Sequence, residues 1–304
     1  VTSTLDRPVK VTTFQGVSLR RKLANNIATV LVTASLVVAL VPLLWVLYSV
    51  ITKGFKAITS PVWFTHSQAG MTAFQAGGGA YHAIVGTLLQ GLVCAIISIP
   101  IGIMVAVYLV EYGGGTRLGK LTTFMVDILT GVPSIVAALF IYALWVATLG
   151  FQRSGFAVSL SLVLLMIPVI VRATEEMLRI VPMDLREASY ALGVPKWKTI
   201  VRIVIPTALS GIITGIMLAL ARVMGETAPL LILVGYAQAM NFDIFSGFMG
   251  SLPGMMYDQI SAGAGADPVP TDRLWGAALT LILLIALLNI GARVVARIFA
   301  PKKV

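Results

Sequence analysis

Six charge-poor apolar stretches of near membrane-spanning length constrain this chain more tightly than any motif in it. Inside a bilayer no water reaches the backbone N–H and C=O groups, so a chain crosses only as a helix or a closed barrel, and a helix needs about 20 apolar residues to do so. Residues 27–51 carry no charge, and 81–110 hold nothing titratable but His82 and Cys94 along with Tyr81 and Tyr108. Asp127 alone interrupts 121–150, and 154–171 is shorter, with Pro168 near its end. Residues 203–221 are clean, a further apolar piece at 228–240 follows a charged break, and 274–292 comes directly after Arg273. The expected fold is all-α: a polytopic membrane protein with six transmembrane helices. Its expected layout is a 1–26 tail, a first helix over 27–51, a core over 81–300 and a 301–304 tail.

Composition excludes the other broad classes. The chain has 304 residues, 58% hydrophobic and 11% charged, against about 45–50% and about 25% in soluble domains. Neither a water-soluble enzyme nor a disordered chain has that balance. The net charge of +10 reads as topology, because basic residues collect in cytoplasmic loops. Placing the N-terminal tail, the 111–120 loop, the 172–202 loop and the C-terminal tail on one side gathers 17 of the 22 Lys and Arg residues there. Arg7, Lys10, Arg20, Arg21, Lys22, Arg117, Lys120, Arg293, Arg297, Lys302 and Lys303 are among them. Lys53, Lys56, Arg153 and Arg273 remain on the other side, and Arg222 falls within the membrane. Both termini of the multi-pass chain are therefore expected on the cytoplasmic side of its membrane. The first span is expected to be retained, since the polar leader is too long for a secretory n-region and no small-residue cleavage site follows it.

The loops are too short to fold a catalytic domain. The run from Gly114 to Lys120 has the Gly-x4-Gly-Lys spacing of a phosphate-binding loop, but Leu121 stands where a hydroxyl must meet magnesium, and the run follows a membrane helix rather than a strand. A turn between spans is the better reading. His66 and His82 have no carboxylate or thiol partners at ligand spacing and read as surface or interface residues. Cys94 is the one cysteine, so no internal disulfide or zinc set is available. The chain is expected to be no enzyme, to bind no metal or cofactor itself, and to hydrolyse no ATP.

The 172–202 loop carries the densest signals. Pro182 and Asp184 supply a helix start, while Gly193 and Pro195 supply a stop, which gives a short helix from about Asp184 to Leu192 outside the bilayer. A rigid helix held at both ends by membrane spans suits the receipt of a mechanical stroke from another protein. Glu187-Ala188-Ser189, three residues, Gly193, nine residues and then Ile203-Val204-Ile205-Pro206 resembles the Glu-Ala-Ala loop of ATP-binding-cassette import permeases. Ser189 replaces the second alanine of that pattern, and Ile205 replaces a leucine. The blocks Leu109-Val110-Glu111-Tyr112, Asp127 to Val136 and Arg222 to Leu230 resemble the PstA family of phosphate permeases.

The resemblance implies the MetI-like type I importer permease fold, with a coupling loop over about 182–206 that docks on an ATPase through Glu187, Ala188, Ser189, Gly193 and Pro195. It also implies a PstC-like partner permease, two PstB-like ATPase subunits that bind ATP and magnesium, and a PstS-like external phosphate-binding protein. Phosphate is the implied cargo.

Arg222 and Glu226 are four residues apart, so on a continuous helix they lie on one face and pair. An intramembrane arginine costs about 2.5–3.5 kcal/mol on insertion scales and should face a partner or a wet cavity. Pro229 lacks an N–H and clashes with the carbonyl of Gly225, which predicts a kink or break there. The expected substrate path is therefore Arg222, Glu226 and Thr227: the guanidinium meets the anion as a bidentate fork, Glu226 serves as its counter-ion when the path is empty, and Thr227 adds a hydroxyl. Asp127 is expected to be a structural intramembrane charge that holds the loop at Gly131-Val132-Pro133. Gly211, Gly215 and Ala219 place small residues on one helix face and permit a close helix approach. Two further readings stay open: a permease for sulfate, molybdate or phosphonate, and a stand-alone secondary anion transporter.

Overall fold

A computed structural model describes residues 18–299. Residues 1–17 of the expected 1–26 tail and the whole expected 301–304 tail, with Arg7, Lys10, Lys302 and Lys303, lie outside the described residues, and helix already begins at Leu19 within the first tail. The chain divides into two compact units, Val1–Ser49 and Val50–Val304. Helix α1 (Leu19–Ile58) is 40 residues long. Its stretch within the first unit is exposed side chain throughout except at Ser49, a surface that only lipid or protein can cover.

The second unit is a bundle of helices. After the short α2 (Pro61–Thr65) come α3 (Tyr81–Val107), α4 (Arg117–Thr130) and α5 (Ser134–Ile141). Then follow α6 (Gly155–Ile180), α7 (Met183–Ala191), α8 (Lys196–Thr199), α9 (Ile205–Met224), α10 (Ala228–Leu233), α11 (Leu252–Ser261) and α12 (Pro268–Phe299). Wider π-turns extend three of them: Tyr108–Tyr112 beyond α3, Tyr142–Thr148 beyond α5, and Ile200–Val204 between α8 and α9. Among the described residues no strand forms beyond one isolated bridge, Ala264 to Asp267.

Among the described residues five stretches are long and apolar enough to cross a membrane: Leu19–Ile58, Tyr81–Tyr112, Gly155–Ile180, Lys196–Met224 and Pro268–Val294. A sixth exists only if Arg117–Thr130 and Ser134–Thr148 count as one span, and these two pieces meet at 105°. The third span expected over 121–150 is thus broken, at the loop expected at Gly131-Val132-Pro133. Gly131 ends α4 and Pro133 opens α5 with an extended backbone, as a residue with no N–H to continue a helix requires.

Packing explains the close centre of the bundle. Cys94, Met166, Ile170, Val171, Ile212 and Val223 belong to one continuous core, and a smaller one gathers Trp63, Ala83, Leu252, Met255 and Ala277. The small-residue face expected on α9 meets α6 of the same chain. A Cβ on Gly215 would lie 2.4 Å from that of Ala173, and one on Gly211 would lie 2.1 Å from the sulfur of Met177. Only glycine lets these two backbones approach so closely.

Candidate functional site

At one end of the bundle α7 stands between α6 and α8. Pro182 precedes it, Asp184 lies in its first turn, and Gly193 ends it with φ +75°, a left-handed conformation that glycine adopts without steric cost. Gly193 N–H donates to the Tyr190 carbonyl (2.9 Å) and Val194 N–H to that of Ser189 (3.2 Å), closing the helix end. Glu187 and Ala188 are exposed, as are Gly193 and Pro195. Around them Met183, Leu185, Tyr190 and Leu192 expose apolar side chains, Leu192 at 83%. The exposed surface at α7 thus carries four large side chains beside the Glu187 charge.

Ser189 is different: it is buried, and its hydroxyl is 2.8 Å from that of Thr199 on α8. The serine that departs from the family pattern therefore ties the two arms of the loop together. Ser189→Ala leaves Thr199 only a 3.5 Å contact with the Pro195 carbonyl. This loss should cost about 1 kcal/mol, read as a lowered midpoint in thermal unfolding of the purified complex.

The structure brings residues to α7 that sequence reasoning missed. Arg186 donates to Glu111, which is 75 positions away; nothing local in the sequence signals such a pair. Lys196 donates to the Glu111 carbonyl and lies 4.7 Å from the ring centre of Tyr112. A cleft of about 710 Å³ opens beside them, lined by Glu111, Arg179, Arg186 and Lys196 among others. Next to it Arg172 bridges Asp127 and Glu175, and Arg179 holds the other oxygen of Glu175 at 2.6 Å. Asp127 thus pairs across to α6, so α4 is pinned to α6. The run Gly114–Lys120 forms a turn in which Thr116 caps α4 by accepting from Gly119 N–H at 2.9 Å.

The expected path residues lie where α9 stops. α9 ends at Met224 and α10 begins at Ala228, so the break falls where Pro229 demands it. Arg222 sits in the last turn of α9, exposed, about 24 Å of helix beyond Pro206. The expected ion pair with Glu226 does not form: among the described residues no carboxylate pairs with Arg222. The reason is the break itself. With Gly225 capping the helix, Glu226 no longer follows at helical spacing. It lines a cavity of about 10 Å³ with Thr87, Gln90 and Ser251, room for one water. The buried amide nitrogen of Gln90 has no protein partner there. Thr227 occupies the cap position of α10 without a side-chain cap bond.

The opposite end of the bundle is held by polar groups. Arg273, 4% exposed, donates to the carbonyls of Thr72, Ala73, Gln75 and Gly77 at 2.7–3.5 Å, which rivets that loop to α12. His82 is neither a surface nor a free residue: it is buried, and its Nε2 lies 2.8 Å from the Tyr236 hydroxyl. Burial pushes the Tyr236 phenol and the nearby Asp258 carboxyl above their ordinary ranges. His66 is exposed, 2.8 Å from the Thr65 hydroxyl.

A bundle of membrane-length helices, with a break beside an arginine that pairs with no carboxylate among the described residues and a short exposed helix between two spans, suits the membrane subunit of a transporter. The chain belongs to the family of binding-protein-dependent transport system inner membrane components, which matches residues 98–304. It is 56% identical to the phosphate transport system permease protein PstA 1 of Mycobacterium tuberculosis strain H37Rv, over 96% of this chain and 93% of that one. It is 58% identical to PstA of Mycobacterium leprae over 94% and 93%, and 40% identical to PstA of Yersinia pestis over 93% and 92%. Among solved structures, the fold is similar to a chain of a bacterial alginate ABC transporter, with TM-score 0.63 and 13% identity over 94% of this chain and 99% of that one. It is also similar to a chain of the inward-facing MetNI methionine ABC transporter, with TM-score 0.56 and 18% identity over 73% and 95%. The chain is a multi-pass inner-membrane permease subunit of an ABC importer that works with other subunits, and it is not the subunit that hydrolyses ATP.

Proposed function

We propose that this chain forms half of the passage of an ATP-driven phosphate importer and works by alternating access. The observation that carries this reading is near-full-length identity above half to phosphate permeases. Both termini face the cytoplasm, in keeping with the distribution of Lys and Arg. A PstC-like permease completes the passage, two PstB-like ATPases supply ATP and magnesium, and a PstS-like protein delivers phosphate from outside. The chain holds no cofactor of its own. Exposed Glu187 and Ala188, with Gly193 and Pro195 framing the turn, dock α7 on the ATPase, while Ser189 braces α7 from behind.

In the passage Arg222 meets the anion through its guanidinium fork, and Thr227 offers a hydroxyl on the adjoining turn. Glu226 lies on the same turn. An arginine without a carboxylate partner is rare in a bilayer, since it is costly unless water or a ligand meets it.

Uptake of labelled phosphate by the reconstituted four-component complex tests this reading. Phosphate should accumulate only with ATP on the ATPase side, and excess sulfate should not compete. Accumulation by this chain without the ATPase would establish a secondary transporter instead. In the same assay Glu187→Lys should lower uptake about tenfold or more, the usual scale for reversing a charge at a docked interface. Wild-type rates would remove Glu187 from the contact.

A further inference from the structure

Arg186 and Glu187 are neighbours on α7 that face opposite ways: Glu187 is exposed, whereas the side chain of Arg186 is 8% exposed and that of Glu111, its partner, 6%. Nε and Nη2 of Arg186 donate to one oxygen of Glu111 at 3.2 and 3.0 Å. The remaining donors turn to α6: Nη2 to the Leu178 carbonyl at 3.0 Å and Nη1 to that of Val181 at 2.7 Å. Leu178 lies in the last turn of α6, where carbonyls lack intrahelical partners and the helix dipole favours a cation. One guanidinium therefore joins three elements: α7, the π-turn that ends α3, and the end of α6.

We propose that Arg186 and Glu111 form the clamp through which a stroke received by α7 is passed to α3 and α6, which makes Arg186 a positioning residue for coupling. The proposal rests on the docking role of α7 given above. A buried ion pair is a poor device for stability alone, because packed apolar side chains serve as well. What it supplies is one fixed geometry, since the planar fork meets its acceptors in a single orientation. The far side of the lever closes on the same residue: Lys196, beyond Gly193, donates to the backbone carbonyl of Glu111 and lies over the Tyr112 ring. Both arms of the loop are thus fastened to one π-turn, a form of helix that concentrates at functional sites.

A pair that merely held the fold would, on removal, lower ATP hydrolysis and uptake together, in step with the amount of assembled complex. A clamp separates the two. In complex carrying Glu111→Gln, the ATP hydrolysed per phosphate taken up should rise at least tenfold. Arg186→Met should match it, while Arg186→Lys, which keeps the charge without the fork, should fall between. An unaltered ratio in Glu111→Gln overturns the clamp.

A second measurement leaves the clamp intact. Spin labels at Ala191→Cys on the lever and Met104→Cys on α3, in a Cys94→Ala background, should keep one separation with and without trapped nucleotide. A change of more than about 5 Å, one helical turn, overturns the clamp even if Glu111→Gln fails to assemble. Wild-type complex run in parallel separates the two ideas: no ATP-driven phosphate uptake there refutes the proposed function, whereas normal uptake with an unaltered Glu111→Gln ratio refutes the clamp alone.

Discussion

Phosphate uptake should fall roughly a hundredfold when Arg222 is replaced by alanine, in a complex that still assembles. The estimate follows from a hydrogen bond to a charged group, worth up to about 3 kcal/mol. Assembly should survive because Arg222 makes no ion pair among the described residues and its side chain is exposed. Arg222→Lys should fall between the two, since an ammonium keeps the charge but not the planar fork. The measurement is initial uptake at low external phosphate, normalised to assembled complex. Near-normal uptake by Arg222→Ala would take this residue out of the mechanism. Glu226→Gln provides a contrast: with no Arg222–Glu226 pair to break, its effect should not mirror that of Arg222→Ala.

Gly86→Ala should be the most damaging methyl group added anywhere near the smaller core. A Cβ at Gly86 on α3 would lie 1.9 Å from the Gly250 carbonyl oxygen and 3.0 Å from Met249. Neither side has room to move. The next residue, Thr87, accepts from Leu252 N–H at 2.8 Å, and Gly250 is itself packed so tightly that a Cβ on it would lie 2.8 Å from the His82 ring and 3.0 Å from the Ala237 carbonyl oxygen. The added carbon must push the loop before α11 away from α3 and break that bond. Overpacking alone costs about 1–3 kcal/mol, and with the lost bond the total should reach about 3 kcal/mol or more. The result would appear as a large drop in the unfolding midpoint or as failure to recover complex. Gly291→Ala on α12 is the matched control: a Cβ there meets nothing within 4 Å, and alanine is the better helix former by about 1 kcal/mol. Equal stability of the two variants would show that the Gly86 contact is not tight.

Features set by neighbouring residues were legible in the sequence. Pro229 announced the break that ends α9, and Pro182, Asp184 and Gly193 bounded α7 to within a residue. Gly211 and Gly215 announced a close contact, although only the structure shows that α6 makes it. The Arg222–Glu226 pair failed for an instructive reason. It assumed helical spacing across a point where the same reading had placed a break. Gly131 and Pro133 likewise announced a loop within the third span, although only the structure shows that the chain bends there by 105°. Partners distant along the chain left no trace at all. Glu111 with Arg186, Asp127 with Arg172 and Ser189 with Thr199 arise from tertiary packing, which residue spacing does not encode.

The rivet between Arg273 and the loop at Thr72 to Gly77 has a consequence for how that loop meets acid. Its acceptors are four peptide oxygens and not a carboxylate. Peptide oxygens take up no protons in any medium a bacterium tolerates, and guanidinium gives none away. Acidification that would loosen a carboxylate-based tether leaves these four bonds in place.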